Sequence, residues 1–525
     1  MASILPGKKI ALVTGGGSGI GRTTAVKFSI NGYNVIVADI DKKSADQTVE
    51  LLKTEGLAVE VDVTIESQVE AMVKAGVDRF GRIDACYNNA GIASPRTRVP
   101  NVKSEDFSRV MDVNVKGVFL CMKYEIQQFL QQEPLEIELD NSVVDPNVSE
   151  ALLAKSAPKP VRGYIVNMSS ILGEIPLPGS SPYVASKWAV IGLSKTAASE
   201  YANDGILINC ICPSFSASIL VDKLSENMKE KLIARTSSGR FGTQAEIAET
   251  VLWLCSEDST SDWAGRGIGQ TTAIKFSANG YNVIVADIDK KSADQTVALL
   301  KTEGLAVEVD VTNESQVEAM VKAGVDRFGR IDACFNNAGI LSPTCKLPNV
   351  KSEDFSKVMD VNVKGVFLCM RYEIKQFLQQ EPLEIELDNS VVDPNVSEAL
   401  LAKSAPKPVR GYIVNMSSIL GKIPVPEFSP YVASKWAVTG LTKTTASKFA
   451  NDGILINCIC PSIIATLLIE KMSESIQDKL LERYSSGRFG TQAEIAEVFS
   501  GCVLFTSECC ITDFGKIVPN ILFCF

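Results

Sequence analysis

Directly behind the apolar run Ile10–Val13 the chain reads T-G-G-G-S-G-I-G-R from Thr14 to Arg22. Glycines at this spacing let a backbone turn tightly and approach a pyrophosphate, whose charge then meets the N-terminus of the following helix. Strand, glycine turn and helix start, in that order, form the dinucleotide cradle of a Rossmann fold. The second constraint on chemistry is an absence. No histidine occurs anywhere in the sequence, which excludes Ser-His-Asp and Cys-His catalysis and most catalytic zinc sites. Any general acid or base must be Asp, Glu, Lys, Tyr or Cys. No metal is expected either, because Cys210/Cys212, Cys458/Cys460 and Cys509/Cys510 lack zinc-ligand spacing.

The elements that must position this loop follow from patterning. Lys8–Val13 reads as a strand, Gly21–Asn31 as a helix closed by Gly32, Asn34–Ala38 as a second strand and Lys42–Glu55 as a charged amphipathic helix. Ala58–Val61, Ala85–Asn88, Tyr164–Met168 and Leu207–Cys212 continue the strands. Glu66–Phe80, Phe107–Leu130 and Tyr183–Tyr201 carry helix periodicity. Alternation of this kind predicts an α/β fold, a Rossmann-like doubly wound parallel sheet covered on both faces. A polar, Pro-containing stretch between Gln131 and Arg162 reads as a surface insertion.

The unit occurs twice. Gly19 recurs as Gly267, Asp39 as Asp287, Asn114 as Asn362 and Tyr183 as Tyr431, and the match runs without a gap from Gly19–Glu249 to Gly267–Glu497. A period this long means two whole domains in tandem, since solenoid repeats run at about 20–50 residues. The expected units are residues 1–263, without a final apolar strand, and residues 264–525. The second unit starts at Gly265-Arg266-Gly267 and so lacks the first strand and most of the glycine loop. It should bind a dinucleotide poorly. The apolar tail Cys502–Phe525 either supplies an edge strand or is a poorly packed leftover.

At 525 residues, 46% apolar and 22% charged, the chain has ordinary globular composition. A net charge of −10 spread along it argues against nucleic acid or an anionic membrane surface as partner. The start MASILPGKKIALVTGG leaves no room for a secretory signal, and no apolar run approaches the roughly 20 residues of a membrane helix. The expectation is a cytoplasmic protein whose 14 cysteines are reduced thiols in apolar segments.

Over nearly its whole length the sequence resembles the short-chain dehydrogenase/reductase family. The glycine motif of that family is met by Thr14, Gly15, Gly19 and Gly21, its N-N-A-G motif by Asn88–Gly91, and its Y-x-x-x-K motif by Tyr183 and Lys187. Ser170 stands thirteen residues before the tyrosine, and Asn114 lies in VMDVNVKG. The second copy repeats the set as Asn336–Gly339, Asn362, Ser418, Tyr431 and Lys435. The resemblance implies a catalytic group of Asn114, Ser170, Tyr183 and Lys187, with Asn362, Ser418, Tyr431 and Lys435 as its second copy. It implies that NAD, with NADP possible, contacts Thr14, Gly15, Ser18, Gly19, Ile20, Gly21, Asp39, Asp62, Asn89, Ala90, Gly91, Tyr183, Lys187 and Ser218. One departure is Ser214, where the family has a glycine.

The residue chemistry agrees. A tyrosine phenol titrates near 10, and Lys187, one helical turn beyond Tyr183, has an ammonium that favours the phenolate. Ser170 can hydrogen-bond a substrate oxygen, with neighbouring Ser169 as the alternative hydroxyl. Asn114 either holds a water linking Lys187 to solvent, as the resemblance implies, or satisfies buried backbone. A carboxylate at Asp39 accepts from a ribose 2′-hydroxyl and repels a 2′-phosphate, favouring NAD; Arg22, Lys42 and Lys43 keep NADP open. Ile92, Leu172, Leu177, Phe215, Ile219 and Leu220 suit a hydrophobic secondary alcohol or ketone, of the kind found in specialised metabolism. Other readings are a non-catalytic dinucleotide-binding scaffold and a fused gene pair. Family members dimerise through helices starting near Asn101 and Tyr183, so the copies could form an intramolecular pseudo-dimer, or the chain a homo-oligomer.

Overall fold

The computed structural model describes residues 8–135, 160–175, 177–222, 224–234, 236, 239–255, 267–383, 397–403, 408–422 and 427–461, with scattered residues beyond, among them 509–512 and 523–524. In the first copy β1 (Ile10–Thr14), β2 (Asn34–Asp39), β3 (Gly56–Glu60), β4 (Ala85–Asn88), β5 (Gly163–Met168) and β6 (Ile206–Pro213) form a parallel sheet in the order β6-β5-β4-β1-β2-β3. The order reverses beside β1, so a crevice opens at the carboxyl ends of β1 and β4, where a doubly wound sheet binds its ligands. The strands are apolar on both faces because helices cover both. Leu12, Ile36, Cys86, Ile165 and Ile208 fill one side, and Val13, Val35, Tyr87 and Val166 the other. Each aliphatic side chain buried in this way contributes about 1.5–3 kcal/mol.

The predicted elements are present, with two differences of consequence. The helix expected over Lys42–Glu55 stops at Glu50. Residues 51–55 are drawn to the sheet edge instead, where the Ser29 hydroxyl accepts the amide of Thr54 at 3.0 Å and Asn34 accepts that of Glu55 at 3.2 Å. The helix expected over Phe107–Leu130 begins at Ser104 and is split into Ser104–Met111 and Val118–Gln131 by a π-helical turn, Asp112–Gly117. Such turns inside a helix accompany functional sites, and this one carries Asn114. Most of the Gln131–Arg162 insertion lies outside the described residues. Its base is closed by antiparallel bonds between Leu135 and Val161.

In the second copy the described strands fall into two separate sheets. Among its described residues no strand stands between β7 (Val283–Asp287) and β9 (Ala333–Asn336). The sheet is broken into β7-β8, where β8 is Gly304–Glu308, and β9-β10-β11, where β10 is Gly411–Met416 and β11 is Ile454–Ile459. With no neighbour on that side, β7 is half-buried to exposed, whereas β2, its counterpart, is buried almost throughout.

The C-terminal tail takes the edge-strand outcome. Residues Cys509–Thr512, β12, pair antiparallel with β6 of the first copy, and Phe523–Cys524, β13, pair antiparallel with β11. The free edge of the first copy is thus covered from the far end of the chain.

The copies do not meet through the helices expected for a pseudo-dimer. Phe107, Phe119 and Trp188 on those helices are exposed, as are Phe355, Phe367 and Trp436 in the second copy. One apolar cluster instead runs from Val251 and Leu254 in the first copy to Val414, Met416 and Ile459 in the second. Among the described residues no helix is long and apolar enough to cross a membrane.

Candidate active site

At the end of β1 the chain enters the glycine loop with Gly15 at φ +62° and Gly19 at φ +54°, a region that disfavours any side chain. A Cβ on Gly21 would stand 2.1 Å from the Gly15 carbonyl oxygen, and one on Gly17 would stand 2.8 Å from Asp39 Oδ2. Helix Gly19–Ile30 starts here, and Ser18, exposed and extended ahead of it, makes no capping bond to its first turn. Gly19 and Ile20, in the first turn of that helix, are only partly covered. A bare cradle at a helix N-terminus fits a dinucleotide pyrophosphate.

The side walls are tied to this loop. The Thr14 hydroxyl accepts the amides of Asn89 and Ala90 at 3.1 and 3.2 Å, and the Asn89 side chain donates to the carbonyls of Thr14 and Gly15 at 3.3 and 3.2 Å. Asp39, at the end of β2, accepts the Gly17 amide on Oδ2 at 2.8 Å and the Asp41 amide on Oδ1 at 3.0 Å. Asp62 accepts the amide and hydroxyl of Thr64 at 2.9 and 2.7 Å. Arg22 turns inward, its Nε donating to the Thr48 hydroxyl at 3.1 Å and its Nη2 to the Gly17 carbonyl. Lys42 pairs with Asp46. Two of the three cations that left NADP open are therefore occupied within the fold.

The catalytic candidates come together on one side of this cradle. Helix Ser181–Tyr201, opened by Pro182 in its first turn, presents Tyr183 and Lys187 on one face. Lys187 Nζ donates to the Met168 carbonyl at 2.8 Å and lies 5.6 Å from the centre of the Tyr183 ring. Ser169 is buried and donates to the Lys187 carbonyl at 2.8 Å. Ser170 accepts the Leu172 amide at 3.2 Å and lies close enough to Tyr183 to offset part of the effect of burial on its phenol. Of the two adjacent serines, Ser170 is the one that reaches the tyrosine.

Burial governs both titrations. It pushes the Tyr183 phenol up to about 12, offset in part by Ser170, and it pulls the Lys187 ammonium down to about 8. The expected lowering of the phenol by Lys187 does not set its value here: desolvation is the larger effect. Part of the Tyr183 side chain still faces solvent, so the site has an open mouth.

Asn114 is fully buried. Its Oδ1 accepts the Ile92 amide at 2.8 Å, and its Nδ2 donates to the Ile92 carbonyl at 2.9 Å and to Ser186 Oγ at 3.1 Å. This is the backbone-pairing alternative. The residue also borders Lys187, since a Cβ on Gly91 would lie 3.3 Å from Asn114 Oδ1 and 3.7 Å from Lys187 Nζ. Ser218 caps the short helix Ile219–Asp222, its carbonyl accepting the amides of Val221 and Asp222 at 3.0 and 2.9 Å. Leu172 is buried, and Ile92, Leu177 and Phe215 are partly covered; the side chains of Ile219 and Leu220 lie outside the described residues.

The second copy keeps one half of this arrangement. Lys435 Nζ donates to the Met416 carbonyl at 2.8 Å and stands 5.5 Å from the Tyr431 ring centre. Ser418 accepts the Leu420 amide at 3.2 Å, and Asn362 brackets Ile340 at 2.8 and 2.9 Å. Burial raises Tyr431 to about 12 and lowers Lys435 to about 8. The cradle is what differs. A Cβ on Gly267 would meet nothing, and one on Gly269 would be 3.1 Å from Asn337. Among the described residues no backbone crowds Gly269 as the Gly15 carbonyl crowds Gly21.

Several residues escape sequence reasoning. Ser186 holds Asn114, and the Met168 carbonyl holds Lys187. Beneath the site a buried polar string runs from Glu125 through Asn88 to Asn167 and Ser194, with contacts of 2.9, 3.0 and 2.9 Å. Burial raises the Glu125 carboxyl to about 7, against the pull of the Asn88 amide. A glutamate among the apolar residues of helix Val118–Gln131 was the available signal for that string.

Comparison with known proteins bears on this geometry. The short chain dehydrogenase family model matches residues 9–137, and the enoyl-(acyl carrier protein) reductase model matches residues 147–261, 264–387 and 395–507. The chain belongs to the short-chain dehydrogenase/reductase family. Both copies of this short-chain dehydrogenase/reductase fall within the matches, and the chain is an NAD(P)-dependent oxidoreductase acting between CH–OH and C=O. It is 36% identical over 253 residues to a 3-oxoacyl-(acyl-carrier-protein) reductase FabG of Staphylococcus aureus, covering 47% of this chain and 91% of that protein. It is 35% identical over 257 residues to the Thermotoga maritima protein of the same name, covering 48% and 92%. Among solved structures, levodione reductase aligns at 30% identity with a TM-score of 0.41, covering 48% of this chain and 92% of that one.

Proposed function

We propose that the first copy interconverts a hydrophobic secondary alcohol and its ketone, using NAD in preference to NADP, with Tyr183, Lys187, Ser170 and Asn114 as its working residues. The observation that carries this is the partly covered Tyr183 with Lys187 Nζ 5.6 Å from its ring centre, beside Ser170 at the crevice where the glycine loop ends. When bound, the dinucleotide supplies or accepts the hydride. Ser170 donates to the substrate oxygen and stabilises the charge that develops there. Tyr183, neutral throughout the physiological range at a pKa of about 12, holds the proton that a reduced carbonyl oxygen requires. The Lys187 ammonium keeps the phenolate tolerable after that proton has left, and Asn114 fixes the Ile92 backbone next to Lys187.

Preference for NAD rests on the Asp39 carboxylate at the loop, and on Arg22 and Lys42 being engaged elsewhere. The apolar side chains Leu172 and Phe215 support a hydrophobic substrate. The domain boundary is proposed at residues 263/264, with the second unit impaired in cofactor binding because its sequence has a polar stretch where the first copy has Lys8–Val13 and keeps only the end of the glycine motif. That defect favours a second reading for residues 264–525 alone, as a structural partner rather than an enzyme. The exposed aromatic helix faces leave a homo-oligomer open.

The test is NADH oxidation with a panel of hydrophobic ketones by the full chain and its Tyr183→Phe and Tyr431→Phe variants. Loss of about 10²–10⁴-fold in turnover on Tyr183→Phe, with Tyr431→Phe near wild type, is the expected result. Turnover that survives Tyr183→Phe unchanged would refute the assignment.

A further inference from the structure

We propose that the second copy acts on the first copy's site: its segment Ser397–Lys403 is a clamp that holds the loop Phe215–Gly242 in one arrangement, and so takes part in deciding which substrates fit. The proposal rests on the reading of the first copy as the active oxidoreductase. That loop follows β6 at the carboxyl end of the sheet, where Ser170 follows β5, and its described residues form the short helices Ile219–Asp222 and Glu226–Ile233. Helices of this length do not hold themselves, so their arrangement depends on what packs against them.

What packs against them comes from the second copy. The Ser397 hydroxyl and amide donate to the two carboxylate oxygens of Asp222, at 2.7 and 3.0 Å. These bonds hold the Asp222 carboxyl below its ordinary range. Ser397 also caps helix Glu398–Ala402, accepting the Leu400 amide at 3.3 Å. At the other end Lys403 pairs with Glu226, and its carbonyl accepts the Phe241 amide at 3.1 Å. Between these anchors Leu400 is fully buried against Ala217, Val221, Leu232 and Phe241.

The clamp is connected to the cofactor helix. Ala217 donates to the Gly242 carbonyl at 2.8 Å and accepts from the Gln244 side chain at 3.0 Å. Gln244 in turn accepts from the Thr23 hydroxyl, on helix Gly19–Ile30, at 3.0 Å. An unbroken series of contacts therefore joins the second copy to the dinucleotide cradle of the first. The same seven residues occur in the first copy as Ser149–Lys155, which supplies an internal control.

Hydrogen exchange on the full chain tests the clamp, with NADH titration as a check on folding. In Leu400→Asp the Val221–Phe241 segment should exchange at least about tenfold faster than in wild type. Leu400→Ala should give a smaller rise and Leu152→Asp none. KM for the ketones should rise several-fold in Leu400→Asp with kcat little changed, the mark of lost substrate positioning. The proposal is overturned if Leu400→Asp binds NADH and exchanges like wild type in this segment, or if exchange rises while KM stays put. Should Leu400→Asp unfold, Leu400→Ala decides by the same two criteria. A wild-type chain that reduces no ketone would sink the oxidoreductase reading, while the exchange comparison would still report on the clamp.

Discussion

The Asp39 carboxylate accepts the amide of Gly17 at 2.8 Å, tying the end of β2 to the glycine loop that leaves β1. One side chain therefore shapes the cradle and places a negative charge beside it. The two roles are partly separable: an asparagine can keep the Gly17 bond on its one oxygen while losing the charge and the bond from the Asp41 amide.

Asp39→Asn should move the NADPH:NADH affinity ratio toward NADPH by about tenfold, from the loss of one unit charge at short range. Asp39→Ala should weaken both cofactors. Fluorescence titration of the two reduced dinucleotides measures this, and an unchanged ratio in Asp39→Asn would remove the charge argument for NAD.

Gly21→Ala forces a methyl carbon to 2.1 Å from the Gly15 carbonyl oxygen. Relief of that contact should cost about 1–3 kcal/mol and abolish NADH binding. Gly269→Ala, whose nearest neighbour is the Asn337 side chain at 3.1 Å, should leave the titration unchanged. Both results go with a stoichiometry of one NADH per chain by calorimetry.

The adjacent serines should separate cleanly. Ser170→Ala removes the hydroxyl that meets Tyr183 and should lower kcat/KM by about 10²–10³-fold with NADH affinity retained. Ser169→Ala removes a buried bond to the Lys187 carbonyl and should lower stability by about 0.5–1.5 kcal/mol, with a far smaller kinetic effect. Steady-state kinetics and urea unfolding on both variants check the assignment.

Glu125 and its second-copy equivalent Glu373 are each raised by burial from 4.5 to about 7. An acid whose folded pKa is raised contributes stability that is complete below 4.5 and lost as pH climbs through about 7. The combined Glu125→Gln, Glu373→Gln variant should lack that loss, on the order of 2–4 kcal/mol per carboxyl. Urea unfolding at pH 5 and pH 7.5 would read it as a wild-type decline that the variant does not share.

Much of the first copy was legible because its signals are local. The extent of helix Glu66–Phe80 follows from its periodicity and from Gly81, which closes it at φ +87°. The Tyr183–Lys187 spacing puts both on one face of a helix wherever that helix docks. The π-turn at Asp112–Gly117 was not legible: an apolar repeat does not record one extra residue in a turn, and the Asn114 contacts with Ile92 and Ser186 arise from distant segments. The same holds for the short end of helix Lys42–Glu50, where Ser29 and Asn34 on other elements outcompete helix continuation.

By itself the sequence determined the fold class and the tandem repeat, and it named the residues proposed for both catalytic groups. All of these depend on residue type and spacing along one stretch of chain. Only the tertiary structure decided that β12 closes the first sheet, that the copies join away from their aromatic helices, and that Ser397–Lys403 lies on the loop after β6. These contacts join residues far apart in the chain, and Ser149–Lys155 and Ser397–Lys403 are identical in sequence. Local chemistry cannot distinguish two identical segments, so the seat of Ser397–Lys403 on the loop after β6 is decided by the tertiary structure.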